Sequence, residues 1–170
     1  MLAGYDAEGV SEVMGLGDER SFLDSNTSGF AEKQQSRFHD SEPSRPQSSL
    51  TIEQAVERGL PRQALRHLAE RVTGGDKGRA AAFEWMIVPK TTLERRGTTL
   101  SPQESERTER VARLFVHARR ALGSEEEARE FLMDSHPELN RRSPVEAART
   151  DLGTRRVEHL LNALEYGLIV

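Results

Sequence analysis

The amino-acid sequence predicts an all-α protein, on three observations that agree with one another. Ser101, Ser124 and Ser143 are each followed three residues later by Glu, the pairing that closes a helix N-terminus. Behind those caps apolar residues recur at spacings of three and four, as one buried helix face requires. Glycines stand where the period stops, at Gly59, Gly123 and Gly167. The expected arrangement is a disordered tail over residues 1–49, a first helical domain over 50–100 and a second over 101–170.

The tail is the least patterned part of the chain. It is rich in Ser, Gly, Asp, Glu and Gln and ends in Ser41-Glu42-Pro43-Ser44-Arg45-Pro46. Too few apolar residues recur at any period to offset the entropy of ordering it. A short helix over Ser11 to Leu16 is the one local exception, and it is marginal by itself.

Order is expected to begin at Leu50-Thr51, with Thr51 and Gln54 as a capping box and Gly59 as the stop. Pro61 then opens a helix whose apolar face is Leu65, Leu68, Ala69 and Val72, ended by Gly74-Gly75. Residues 78–86 follow, with Phe83, Trp85, Met86, Ile87 and Val88 supplying bulk. Next come Pro89-Lys90-Thr91-Thr92-Leu93-Glu94-Arg95-Arg96 and Gly97. Helix, short helix, turn and short helix is an order compatible with a helix-turn-helix, Val88-Pro89 being the turn and residues 89–96 the helix that enters the major groove. Cations meet phosphates, while hydroxyl and forked side chains reach base edges; Lys90, Thr91, Thr92, Arg95 and Arg96 supply both kinds and are the candidate DNA contacts. A short basic helix can equally be a solvated surface, and Leu93 reads as core.

The second domain carries the longest helix. Leu100-Ser101-Pro102-Gln103-Glu104 combines cap, first-position proline and third-position Glu, and Val111, Leu114, Phe115, Ala118 and Leu122 form its apolar face. Gly123 ends it. Ser124 with Glu127 starts a helix carrying Ala128, Phe131 and Leu132, Ser143-Pro144 starts a short one, and a last helix presents Val157, Leu160, Leu161 and Leu164 before Gly167. Leu168-Ile169-Val170 is an apolar tripeptide of a kind unusual where a sequence ends.

Composition narrows the function classes. The chain of 170 residues is 31% charged and only 5% aromatic, with net charge −4 and no cysteine. Disulfides, thiolate metal sites and a cysteine nucleophile are therefore excluded. No run is long enough to span a bilayer and the start lacks a signal-peptide pattern, so a cytosolic location is expected. Charge is unevenly spread: residues 1–50 hold nine acidic against four basic residues, residues 58–99 nine basic against four acidic, and residues 100–170 eleven Arg against thirteen acidic. The five histidines form no metal-ligand spacing, and Gly74-Gly75-Asp76-Lys77-Gly78 lacks the spacing of a phosphate loop. No enzyme, cofactor or metal is expected.

The end of the chain carries a resemblance. Arg141-Arg142 before Ser143-Pro144, the Asp151-Leu152-Gly153 step, Arg156-Val157-Glu158 running to Leu161, and Leu164-Glu165-Tyr166-Gly167-Leu168-Ile169 together resemble the toxin-binding domain of Xre/MbcA/ParS-type antitoxins. The family form has Thr-Pro at the short helix and Glu-His-Gly or Glu-Tyr-Gly near the end. The likeness covers residues 100–170 well and 50–100 more loosely. It implies an antitoxin of a type II toxin–antitoxin system that binds a RES-domain toxin, NAD-degrading or ADP-ribosylating, occludes its active site with the C-terminal tail, and represses its own operon. Arg142, Arg156, Glu165, Tyr166, Gly167, Leu168, Ile169 and Val170 are the candidate toxin contacts. A homodimer formed through residues 50–122 would match palindromic half-sites. The alternatives are a DNA-binding regulator without a toxin partner, its C-terminal helices serving only to dimerise, and a purely structural adaptor.

Overall fold

A computed structural model describes residues 5–16, 47–95 and 97–167. Among them the chain is helical: α1 Ala7–Val13, α2 Gln47–Arg58, α3 Arg62–Val72, α4 Lys77–Ile87, α5 Lys90–Arg95, α6 Pro102–Leu122, α7 Glu125–Met133, a 3-10 turn Pro137–Leu139, α8 Pro144–Ala147 and α9 Asp151–Glu165. The described residues include no helix long and apolar enough to cross a membrane.

The 21-residue helix α6 is the axis of the molecule. Ser101 accepts from the Glu104 amide at 3.3 Å, and the Glu104 carboxylate takes the Ser101 amide at 2.7 Å, so both halves of the capping box are made. Val111, Ala112, Leu114, Phe115, Val116 and Ala118 are buried along it, and α1, α2, α3, α4, α7 and α9 all pack against it. Its two buried hydroxyls cost nothing unmet. Thr108 Oγ1 donates to the Glu104 carbonyl at 2.8 Å. Ser105 Oγ accepts the Leu60 amide and donates to the Ser101 carbonyl, both at 2.8 Å.

Near the start of the chain, residues 5–16 depart from the expected tail: they form a capped helix set in the core. Asp6 accepts from the Gly9 amide at 2.9 Å, and Ala7, Val10, Val13 and Met14 are all buried. The helix also lies over Ala7–Val13 rather than Ser11 to Leu16. Seven residues cannot sustain a helix in water, so this one exists because α2, α3 and α6 together offer it a groove. Ties outside the groove hold it there: Tyr5 donates to Glu109 at 2.9 Å, and Glu12 pairs with Arg71 at 3.1 Å and Arg119 at 3.7 Å. Residues 17–46 of the expected tail lie outside the described residues. Removing residues 1–16 is expected to cost about 2–4 kcal/mol, the order of emptying a few core side-chain sites less the ordering entropy regained. Chemical denaturation of the shortened chain measures it, and an unmoved midpoint would contradict the packing.

Three further expectations are corrected. Thr51 does not open α2, which starts at Gln47; Gln54, cast as the cap's partner, instead accepts from Arg58 one turn on at 3.1 Å. Leu164 does not complete the buried face of α9: it is 41% exposed on the last turn, where the packed face runs out. Trp85 likewise adds its bulk outside, at 44% exposure. Gly59 is the stop expected, at φ +99°, and a Cβ there would strike the Leu100 carbonyl oxygen. That close approach lets Leu100 donate to the Leu60 carbonyl at 2.8 Å and Arg62 to the Thr98 carbonyl at 2.7 Å, which ties the start of α3 to the segment after α5.

Candidate functional site

Two surfaces gather the predicted side chains. On the first, Val88 leaves α4 in an extended conformation and Pro89 begins the turn into the six-residue α5. Such a short helix needs anchoring. Leu93 is 1% exposed and plugs it into the core, and Arg62 donates to the Leu93 carbonyl at 3.3 Å, meeting one of the acceptors a helix end leaves open. Lys90, Thr91 and Arg95 are exposed and Thr92 is half-buried. The Lys90 ammonium stands 4.9 Å over the Trp85 ring and 3.9 Å from Glu94, two weak contacts that orient it without neutralising it. Arg96 lies outside the described residues.

The second surface is the end of α9 and the turn before α8. Ser143 and Pro144 open α8 with the expected capping box, Ser143 accepting from the Glu146 amide at 3.2 Å and the Glu146 carboxylate from the Ser143 amide at 3.0 Å. Arg142 is exposed beside it, with its guanidinium 3.3 Å from the Leu139 carbonyl. Arg156 and Tyr166 lie on the outward side of α9 with Leu152 and His159, at the spacings 4, 3 and 7 that one helix face repeats. Ten residues separate Arg156 from Tyr166, about 15 Å along the helix, so the candidate contacts extend along α9 instead of meeting at one point.

Glu165 is held in place rather than presented. Arg120 donates to its two oxygens at 3.0 and 3.1 Å, and His117 Nε2 lies 3.3 Å away. The Arg120 hydrogen bonds keep the Glu165 carboxyl below the usual carboxylate range. Burial, and then the Arg120 charge, push His117 below its ordinary value, against the pull of Glu165. The group fastens the last turn of α9 to α6. Beyond it Tyr166 is 58% exposed, and Gly167 takes a left-handed φ of +63° that turns the chain. Leu168, Ile169 and Val170 lie outside the described residues.

A helix-turn-helix arrangement running into the first half of α6 and a capped helical unit beginning in its second half are each matched by a family model. Residues 51–113 match the antitoxin Xre-like helix-turn-helix domain, and residues 117–167 match the antitoxin Xre/MbcA/ParS C-terminal toxin-binding domain. The chain belongs to the Xre/MbcA/ParS-type antitoxins. No curated protein matches it. The two matched stretches of the antitoxin meet inside α6, so one helix carries both, and α1 lies outside them.

Several supporting residues of the antitoxin escaped sequence reasoning. Arg120 and His117 are 45 and 48 residues from Glu165, and no periodicity links such positions. Arg62 is likewise 31 residues from Leu93. Leu152, 64% exposed, was legible as the complement of the buried α9 period and completes its outward face.

Proposed function

We propose that the antitoxin neutralises a RES-type, NAD-using toxin by placing its C-terminal segment in the toxin's active site, and that it represses its own operon through α5. The observation that carries the first part is the end of α9. Arg120 and His117 clamp Glu165, and the next residues are an exposed tyrosine and a left-handed glycine. A clamp followed by a turn launches a segment from a defined point. That suits a stopper, because the residues up to Gly167 are already fixed and lose little freedom on binding. The toxin-binding role is assigned to Arg142, Arg156 and residues 166–170, with Glu165 anchoring the last turn of α9 through Arg120 and His117, and the DNA-contacting role to Lys90, Thr91, Thr92, Arg95 and Arg96. A two-fold homodimer through residues 50–122 would set two copies of α5 against half-sites about one helical turn apart.

Co-expression tests the partner: a RES-domain protein whose gene adjoins this one should be captured by the antitoxin, and cellular NAD should fall when that protein is made alone and be preserved when both are made. Capture without protection of growth or NAD would defeat the stopper. For DNA, with the antitoxin's own promoter region as probe, Lys90→Ala and Arg95→Ala should each flatten the salt dependence of binding by about one unit of log–log slope. An unchanged footprint in the double variant would remove α5 as the reading helix.

A further inference from the structure

The turn between the 3-10 helix and α8 holds two successive non-glycine residues in the left-handed region, Asn140 and Arg141, both at φ 58°. Asn tolerates that conformation, because its short side chain can hydrogen-bond locally. Arg does not, since its Cβ crowds the following carbonyl. The backbone enforces the shape regardless: Arg141 donates to the His136 carbonyl at 3.0 Å, Asn140 to the Pro137 carbonyl at 3.0 Å, and His136 to the Arg142 carbonyl at 3.1 Å. Glycine would satisfy every one of those bonds without strain. What Arg141 adds is therefore its side chain, and that side chain is exposed, with no carboxylate partner among the described residues. Arg142 beside it is also exposed and bonds only the Leu139 carbonyl. Arg66, Arg71, Arg113, Arg119, Arg120 and Arg129 all reach carboxylates, whereas Arg79, Arg95, Arg107, Arg149 and Arg156 are exposed without one among the described residues, so what sets Arg141 apart from these is the left-handed backbone beneath it. A strained backbone that presents an unpaired guanidinium is the combination expected at a contact site.

We infer that Arg141 is a contact residue whose guanidinium, together with that of Arg142, receives carboxylates on the surface of the toxin. The inference rests on the toxin-binding reading above and adds a residue and a chemistry to it. A protein partner is favoured over nucleic acid because the turn lies within residues 117–167, the stretch matched by the toxin-binding domain. Arginine suits the role, since its planar fork meets a carboxylate through two parallel hydrogen bonds.

The test uses the full-length antitoxin and the co-captured RES-domain protein. Arg141→Gly relieves strain and removes the contact together, so two readouts should move in opposite senses. The melting temperature should rise by about 1–3 °C, while Kd for the toxin should weaken about tenfold and its salt dependence should lessen. Arg141→Lys keeps the strain and the charge but not the fork; its melting temperature should stay put and its Kd fall between the two. A glycine variant that binds within about twofold of the parent, or that melts lower, overturns the inference, as does loss of operator binding with toxin binding intact. If the parent chain itself captures no RES-domain protein, the proposed function fails with it; if the parent binds and the glycine variant binds equally, only this inference falls.

Discussion

Deleting residues 167–170 is expected to abolish neutralisation while leaving the melting temperature almost unmoved. The chain up to Tyr166 contains the whole of α9, including the Glu165 clamp to Arg120 and His117 and the buried Val157, Leu160 and Leu161. All of these contacts lie upstream of the cut. Downstream are a turn-forming glycine and three aliphatic residues. Burying those three in a partner at roughly 1.5–3 kcal/mol each would yield on the order of 5–9 kcal/mol before ordering costs, enough to change Kd by orders of magnitude. Growth rescue and NAD content in co-expressing cells report neutralisation, and calorimetry of the truncated antitoxin reports the fold. Full rescue by the truncated protein would end the stopper reading; a large fall in melting temperature would show that these residues serve the fold first.

Gly153→Ala should instead unfold the C-terminal half. A Cβ on Gly153 would fall on the Ala147 carbonyl oxygen and carbon, and both are backbone atoms of α8 that cannot rotate away. Thr150, whose hydroxyl accepts the Gly153 amide at 3.1 Å to cap α9, would be crowded as well. Elsewhere in a helix this substitution stabilises, since Ala is the better helix former. Here the overlap requires α8 and α9 to separate, which would also pull Val145 and Ala148 from the core. An expected loss of about 3 kcal/mol or more follows from overpacking with no rotamer escape. Denaturant unfolding measures it. The DNA affinity of whatever remains folded should change less than the toxin affinity, because α5 is anchored through Leu93 and Arg62.

The Asp151-Leu152-Gly153 step shows how the two levels of description divide. As sequence it was a motif that helped place the chain in a family; the backbone-to-backbone approach that only glycine permits was invisible there. The capping boxes are the opposite case. Ser101–Glu104 and Ser143–Glu146 were legible in full, because a cap is a bond between residues three apart. Ser124 shows the limit of that rule: its hydroxyl accepts from the Glu127 amide at 3.2 Å as expected, but the Glu127 carboxylate turns to the same hydroxyl rather than to the Ser124 amide.

What the sequence determined by itself was local: the helical class, most helix boundaries, the buried faces of α3 and α6, the left-handed exits at Gly59, Gly123 and Gly167, and the family through its C-terminal motif. These depend on residues within one or two turns of each other. What only the tertiary structure decided were relations across long separations. Tyr5 meets Glu109, Arg120 clamps Glu165, Arg62 pins the end of α5, and a seven-residue helix from the supposed tail fills a groove made by three others. The physical reason is that α1 gains its stability from surface supplied by other elements, so a window over residues 5–16 alone holds none of the energy that orders them.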